Sequence, residues 1–78
     1  MSENELFKTK DFYLACFLKA ADIKLVRTEK TGNITIFHFE NEGHIEGLIT
    51  GFYNDQEVIP ANKFINAIRD LKALIHNL

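Results

Sequence analysis

The sequence has little of what small proteins use to reinforce themselves covalently. It contains one cysteine, Cys16, and one proline, and it has no tryptophan. A single cysteine excludes a disulfide within the chain, and a lone free thiol agrees with a reduced, intracellular setting. The sequence also has one serine, Ser2, which excludes a serine-nucleophile motif, and it has no glycine-rich phosphate loop.

Long apolar runs and an excess of positive charge are missing as well. No run approaches the roughly 20 apolar residues of a membrane-spanning helix, and the polar, acidic start of the sequence is unlike a signal peptide. The net charge of −2 gives no whole-molecule attraction to nucleic acid or to an anionic membrane. We therefore expect a cytoplasmic protein with no membrane partner.

The composition is that of a folded protein. The chain has 78 residues, of which 46% are hydrophobic and 26% charged, and this predicts a single domain over residues 1–78 with a flexible tail at 1–6. A chain this short has little room for a deep substrate cavity. Small domains without disulfides often gain stability from metals or from self-association.

The residue pattern predicts an α+β domain. A first helix is expected over residues 10–21 with Thr9 as N-cap, and an amphipathic last helix over 61–77. Runs rich in β-branched and aromatic residues predict strands between them, at 23–28, 34–40, 45–53 and, more briefly, 57–59. The expected architecture is an antiparallel three- to four-stranded meander with the N-terminal and C-terminal helices packed on one face.

Two links that end in glycine suggest how the strands pair. Gly32 and Gly43 each close a three-residue link that suits a hairpin loop with glycine in the left-handed region. The resulting register is given by four cross-strand pairs: Leu25 with Phe37, Ile23 with Phe39, Ile36 with Leu48, and His38 with Glu46. Strand and helix patterns then place Phe37, Phe39, Ile68 and Leu71 in the core.

Two features predict self-association. The first helix is apolar around most of its circumference, so it should contact a second helix or a second chain as well as the sheet. The open sheet face would carry a contiguous apolar patch, made of Val26, Ile34, Ile36, Leu48 and Phe52. A homodimer that covers this patch is the expected assembly.

Four short motifs stand out: Thr-Lys-Asp-Phe-Tyr-Leu-Ala at 9–15, Phe-His-Phe at 37–39, Phe-Tyr at 52–53 and Arg-Asp-Leu-Lys at 69–72. Together they resemble a family of bacterial and phage domains of about 70 residues that is catalogued as being of unknown function. The resemblance covers the chain from about Phe7 to its end. It implies a helix–strands–helix order and a phage or mobile-element origin, hence a bacterial or phage-infected host cell, and it carries no catalytic residues.

The side chains that can carry chemistry gather near one predicted hairpin end. His38, Glu40, His44 and Glu46 would share a face there, and imidazoles and carboxylates are zinc ligands. The preferred interpretation is a solvated tip with cross-strand His–Glu pairs; metal binding and acid–base chemistry are the alternatives. Cys16 lies on the apolar side of the first helix, which favours a buried structural thiol over a nucleophile.

The sequence thus predicts a non-enzymatic, homo-oligomeric binding or adaptor module with no cofactor. The alternative is a single-stranded nucleic-acid-binding protein that uses the open sheet face. Its contacts would be Lys24, Lys30, Phe52, Arg69 and Lys72. An unidentified protein partner is expected in addition to the second copy.

Overall fold

The structure is a computed structural model that describes residues 6–41 and 43–77. The described residues form an α+β domain with three antiparallel strands and three helices. In chain order they are β1 (Leu6–Thr9), α1 (Phe12–Ala20), β2 (Leu25–Thr31), β3 (Ile34–Glu40), α2 (Ile45–Tyr53) and α3 (Ala61–His76).

The three strands lie in the order β1-β3-β2, and β3 is antiparallel to both neighbours. Strands β1 and β2 therefore run in the same direction on either side of β3, and α1 carries the chain from one to the other. Strand β1 was not predicted: Leu6 was assigned to a tail and Thr9 to a helix cap. A four-residue strand that pairs only with a distant segment leaves almost no local signal. Residues 1–5 of the predicted tail lie outside the described residues.

Helix α1 has defined signals at both ends. Its N-cap is Asp11, not Thr9, and the Asp11 carboxylate accepts hydrogen bonds from the backbone N–H groups of Tyr13 and Leu14. At the other end, Asp22 adopts a φ of 67°. The N–H of Asp22 donates to the carbonyl of Lys19, and that of Ile23 to Leu18, which is the Schellman arrangement that ends helices.

Strands β2 and β3 form the predicted hairpin with a different turn and register. The turn has two residues, Gly32 and Asn33, and Gly32 takes a φ of 62° that favours glycine. Leu25 lies opposite Phe39, whereas the predicted partner was Phe37. The register is interrupted between Leu25 and Arg27, and an irregularity of this kind leaves no mark in hydrophobic alternation.

The third predicted strand is wrong, because residues 45–53 form helix α2. Ile45 is buried, and Leu48, Ile49 and Phe52 pack against the core. These positions are spaced i, i+3, i+4 and i+7, which is the stripe of an amphipathic helix. The meander and its second hairpin are therefore absent from the described residues, and the predicted short strand at 57–59 is irregular chain.

The last helix is confirmed, since α3 covers all but one of the residues predicted for it. Helix α1 packs against α3, α2 and β1, so its wide apolar arc is covered by a second helix of the same chain. Phe37, Phe39 and Leu71 are buried as predicted, and Ile68 is half-buried against them. The remaining core residues come mainly from α1: Leu14, Ala15, Cys16, Phe17, Leu18 and Ala20.

Truncation of Phe39 to alanine should remove about 3–5 kcal/mol of unfolding free energy, because the ring is fully buried and its loss leaves a cavity. Urea denaturation followed by circular dichroism measures the change. Val58→Ala is the matched control, since Val58 is 89% exposed and its truncation should leave stability unchanged. Equal denaturation midpoints for the two variants would contradict the assignment of Phe39 to the core.

Candidate functional site

A concave feature lies where the β2–β3 hairpin tip, the start of α1 and the end of α3 meet. Two adjoining hollows, of about 320 and 380 Å³, share Ile75. We call them together the Ile75 groove. Its lining residues are Lys10, Phe12, Asn33, Ile34, Thr35, Phe37, Lys72, Ala73, Ile75 and His76.

The Ile75 groove combines an apolar base with a cationic rim. Phe37 is buried at its floor, Phe12 and Ile75 are half-buried, and Ile34 is 48% exposed. Lys10 lines the first hollow and Lys72 the second, and both are exposed, whereas no Asp or Glu is among the described residues that line either hollow. This separation is notable because the chain has 11 acidic and 9 basic residues. The groove therefore suits a ligand that is apolar and negatively charged.

A second polar feature lies on the opposite face of the sheet, at the middle of β3. His38 is only 1% exposed, and in register it lies between Lys8 of β1 and Arg27 of β2. Its Nε2 contacts the carboxylate of Glu29, but neither ring nitrogen makes a hydrogen bond of ordinary geometry. The carboxylate of Glu29 is thus the polar neighbour that offsets the burial of the imidazole.

The predicted cluster of His38, Glu40, His44 and Glu46 does not form. His38 and Glu40 lie in β3, whereas His44 is the N-cap residue of α2 and Glu46 is in its first turn. The cluster depended on a hairpin that the structure replaces with a helix. No group of three or more His, Cys, Asp or Glu side chains suited to a metal ion occurs within residues 6–41 and 43–77.

The predicted apolar patch is divided between the sheet and helix α2. Val26, Ile34 and Ile36 lie in the sheet, and Val26 and Ile34 are exposed. Leu48 and Phe52 lie in α2 and pack against the core, and the Phe52 ring stacks on Phe17 with 5.1 Å between ring centroids. The patch is therefore not contiguous, because alternation along an assumed strand placed α2 residues on a sheet face.

The cations predicted to contact nucleic acid are dispersed. Lys24 lies 3.9 Å from Glu40 at the other end of the hairpin from Lys30. Arg69 and Lys72 are exposed on α3, and of the five predicted contacts only Lys72 lines the Ile75 groove. Phe52 is held by Phe17, so its ring is not the open platform that base stacking needs.

Cys16 is buried, as its place on the apolar side of the first helix predicted. Burial raises its pKa from the ordinary 9.0 to about 11, while the nearby charge of Lys72 lowers it and that of Asp11 raises it. A thiol that stays neutral at physiological pH is a poor nucleophile.

Asp11 connects α1 to the end of α2. The Tyr53 hydroxyl donates a 2.7 Å hydrogen bond to the carboxylate that also caps α1. The hydrogen bond to Asp11 raises the pKa of Tyr53, with smaller contributions from burial and from the Asp11 charge. The same carboxylate thus links the start of α1, beside Lys10 and Phe12 of the groove, to the end of α2.

A family model for the domain of unknown function DUF5659 matches residues 4–77. The chain belongs to this family. No curated protein and no solved structure matches the chain. The family resemblance inferred from the motifs is thereby confirmed, although the order of helices and strands differs in part from the one it implied. None of the helices among the described residues is long and apolar enough to cross a membrane.

Sequence reasoning missed most of the groove. Lys10, Phe12 and His76 were assigned to helices and Asn33 to no element, and none of the four was assigned to a binding site. They come from three separate stretches of the chain, and they are brought together by the packing of α1 against α3 and of Phe12 against Phe37 of β3. No pattern within any one stretch marks them.

The Cys16→Ala variant should be less stable than the parent protein below pH 9. The difference in unfolding free energy between the two should become smaller at high pH. Below pH 9 the thiol is neutral whether the chain is folded or unfolded; between 9 and about 11 only the unfolded chain ionises. The parent should therefore lose stability relative to Cys16→Ala over this range, by about 2 kcal/mol. Urea denaturation below pH 9 and near pH 11 measures the difference. A constant gap would mean that the thiol is not shielded in the folded protein.

Proposed function

We propose that this DUF5659 domain is a non-enzymatic binding module that docks an apolar, acidic segment of a partner protein in the Ile75 groove. The observation that carries the proposal is the separation of charge: an apolar floor bordered by Lys10 and Lys72, with no Asp or Glu among the described residues that line it. Charge complementarity of this kind selects a partner and speeds its association, while burial of apolar side chains supplies most of the affinity.

The groove favours a protein partner over a nucleic acid. Base stacking needs exposed aromatic faces, but Phe37 is buried and Phe12 is half-buried against it, with 6.4 Å between ring centroids. The aliphatic side chains in the wall of this hollow are Ile34 and Ile75. Single-stranded nucleic acid stays the second hypothesis, with Lys30, Arg69 and Lys72 as its phosphate contacts.

Self-association also stays a proposal, on a smaller surface. The arc of α1 is covered by α3 and α2 of the same chain, so it no longer calls for a second copy. Val26 and Ile34, which are 42% and 48% exposed, remain for a dimer contact together with Ile36. So small an apolar surface gives only weak association.

A direct test measures binding of a short fluorescein-labelled peptide that alternates valine and glutamate, by fluorescence polarisation. The Lys10→Glu, Lys72→Glu double variant should bind at least about tenfold more weakly, which corresponds to about 1.4 kcal/mol. Lys24→Glu, Lys63→Glu is the matched control, since it changes net charge equally but lies outside the groove. A version of the peptide with lysine in place of glutamate should not bind.

Three results would count against the groove as the binding site. They are the absence of peptide binding, equal weakening by both double variants, and equal affinity for the lysine peptide. Binding of a mixed-sequence oligonucleotide that is lost in Lys30→Glu and Lys72→Glu variants, with no binding of either peptide, would favour the nucleic-acid hypothesis instead.

The mass in solution, measured by light scattering over a range of concentrations, tests self-association. We expect a monomer at low concentration and a rising mean mass at high concentration, because the exposed apolar surface at Val26 and Ile34 is small. Ile34→Lys should keep the protein monomeric throughout, while Val58→Lys, at an exposed residue of the 54–60 loop, should not. A rise in mass that Ile34→Lys leaves unchanged would place the contact elsewhere.

A further inference from the structure

The central strand β3 extends beyond one of its neighbours. Strand β1 pairs with β3 from Leu6 opposite Glu40 to Thr9 opposite Phe37. Strand β2 continues to pair further along, as far as Thr31 opposite Ile34. Within the described chain, residues 34–36 of β3 therefore have a partner strand on the β2 side and none on the β1 side.

The open side of residues 34–36 carries backbone hydrogen-bonding groups. Successive residues of an antiparallel strand turn their N–H and C=O groups to alternate sides, so at least one of these three turns both groups toward the vacant position. No backbone hydrogen bond from the described turns, loops or caps reaches residues 34–36. An unpaired strand edge of this kind is a template for another strand.

The vacant position exists because the chain leaves the sheet after Thr9. The Asp11 N–H donates a 3.0 Å hydrogen bond to the Thr9 hydroxyl, and α1 begins immediately afterwards. The space in line with β1 is bordered by Lys10, where the chain departs, and by Asn33, Ile34 and Thr35 of the hairpin. All four residues line the Ile75 groove, so the open strand edge borders the groove at Ile34 and Thr35.

We propose that the partner segment binds in extended form, as a short strand antiparallel to β3. It would pair with residues 34–36 on the side that β1 does not reach. Alternate side chains would then enter the apolar base of the groove, while carboxylates lie near Lys10 and Lys72. This rests on the proposed function, since it specifies how the same groove holds its partner. A helical ligand would satisfy its own backbone groups and leave residues 34–36 unpaired.

N-methylation of the peptide tests this pairing. In an extended peptide that alternates valine and glutamate, all valine amides point to one side and all glutamate amides to the other. One peptide is methylated on its valine amides and a second on its glutamate amides. Strand addition predicts that one of them binds at least about tenfold more weakly than the parent peptide, while the other stays within about twofold. Equal affinities for the two methylated peptides would overturn the proposal.

Amide hydrogen exchange gives a readout on the protein itself. The unmodified peptide should slow exchange of at least one amide among residues 34–36 and leave the outer edge of β2 unchanged. Protection of residues 34–36 that appears without peptide, and grows with protein concentration, would assign this edge to a second copy and overturn the partner-segment proposal.

The results distinguish failure of the proposed function from failure of strand addition alone. A parent peptide that fails to bind would overturn the proposed function and strand addition together. A parent peptide that binds in a manner dependent on Lys10 and Lys72, with both methylated forms as tight, would leave the groove as the site and overturn only strand addition.

Discussion

The burial of α1 is the constraint on which the rest of this structure depends. Six of its nine residues are buried, so a single sheet face is not enough to cover it. Helices α3 and α2 also pack on α1 and cover it, in addition to its contact with β1. Because α3 packs on α1, the end of α3 lies beside the hairpin tip. Ile75 there lines the same hollow as Phe12 and Phe37. The groove is therefore a consequence of the way in which α3 and α2 pack on α1 to complete the core.

The sequence predicted those parts of the fold whose signals are local. Helix α3 has a stripe repeating at helical spacing, and Gly32 marks a hairpin turn, so both were found. Residues 45–53 were assigned to a strand because β-branched and aromatic residues dominate them, although Ile45, Leu48, Ile49 and Phe52 also fit a helix. Intrinsic strand preference is weaker than the packing that decides the outcome. Strand β1 and the register of β2 depend on long-range pairing, which local patterns do not encode.

The same limit explains why the candidate site was predicted poorly. The predicted metal cluster and apolar patch combined residues by assumed register, and one incorrect strand separated His38 from His44 and Ile36 from Leu48. The groove combines Lys10, Asn33 and Ile75, which are far apart in the chain and have ordinary local surroundings. Only Lys72 and Ile34 belong both to the predicted sites and to the groove. Lys72 was predicted to contact nucleic acid, and Ile34 to contact a second copy of the chain.

The short length of β1 links the architecture to the proposed activity. A strand that continued past Thr9 would pair with residues 34–36 on the β1 side. The chain instead starts α1 at Asp11, whose carboxylate accepts hydrogen bonds from two backbone N–H groups and from the Tyr53 hydroxyl. The cap that starts α1 therefore also leaves residues 34–36 of β3 without a partner strand on the β1 side. Domains usually protect such edges with charge or irregular backbone. The β2 edge has its irregularity at Leu25–Arg27, whereas the short β3 edge lies beside an apolar groove with lysines at its rim. An edge left open in that setting is suited to a strand that carries negative charge.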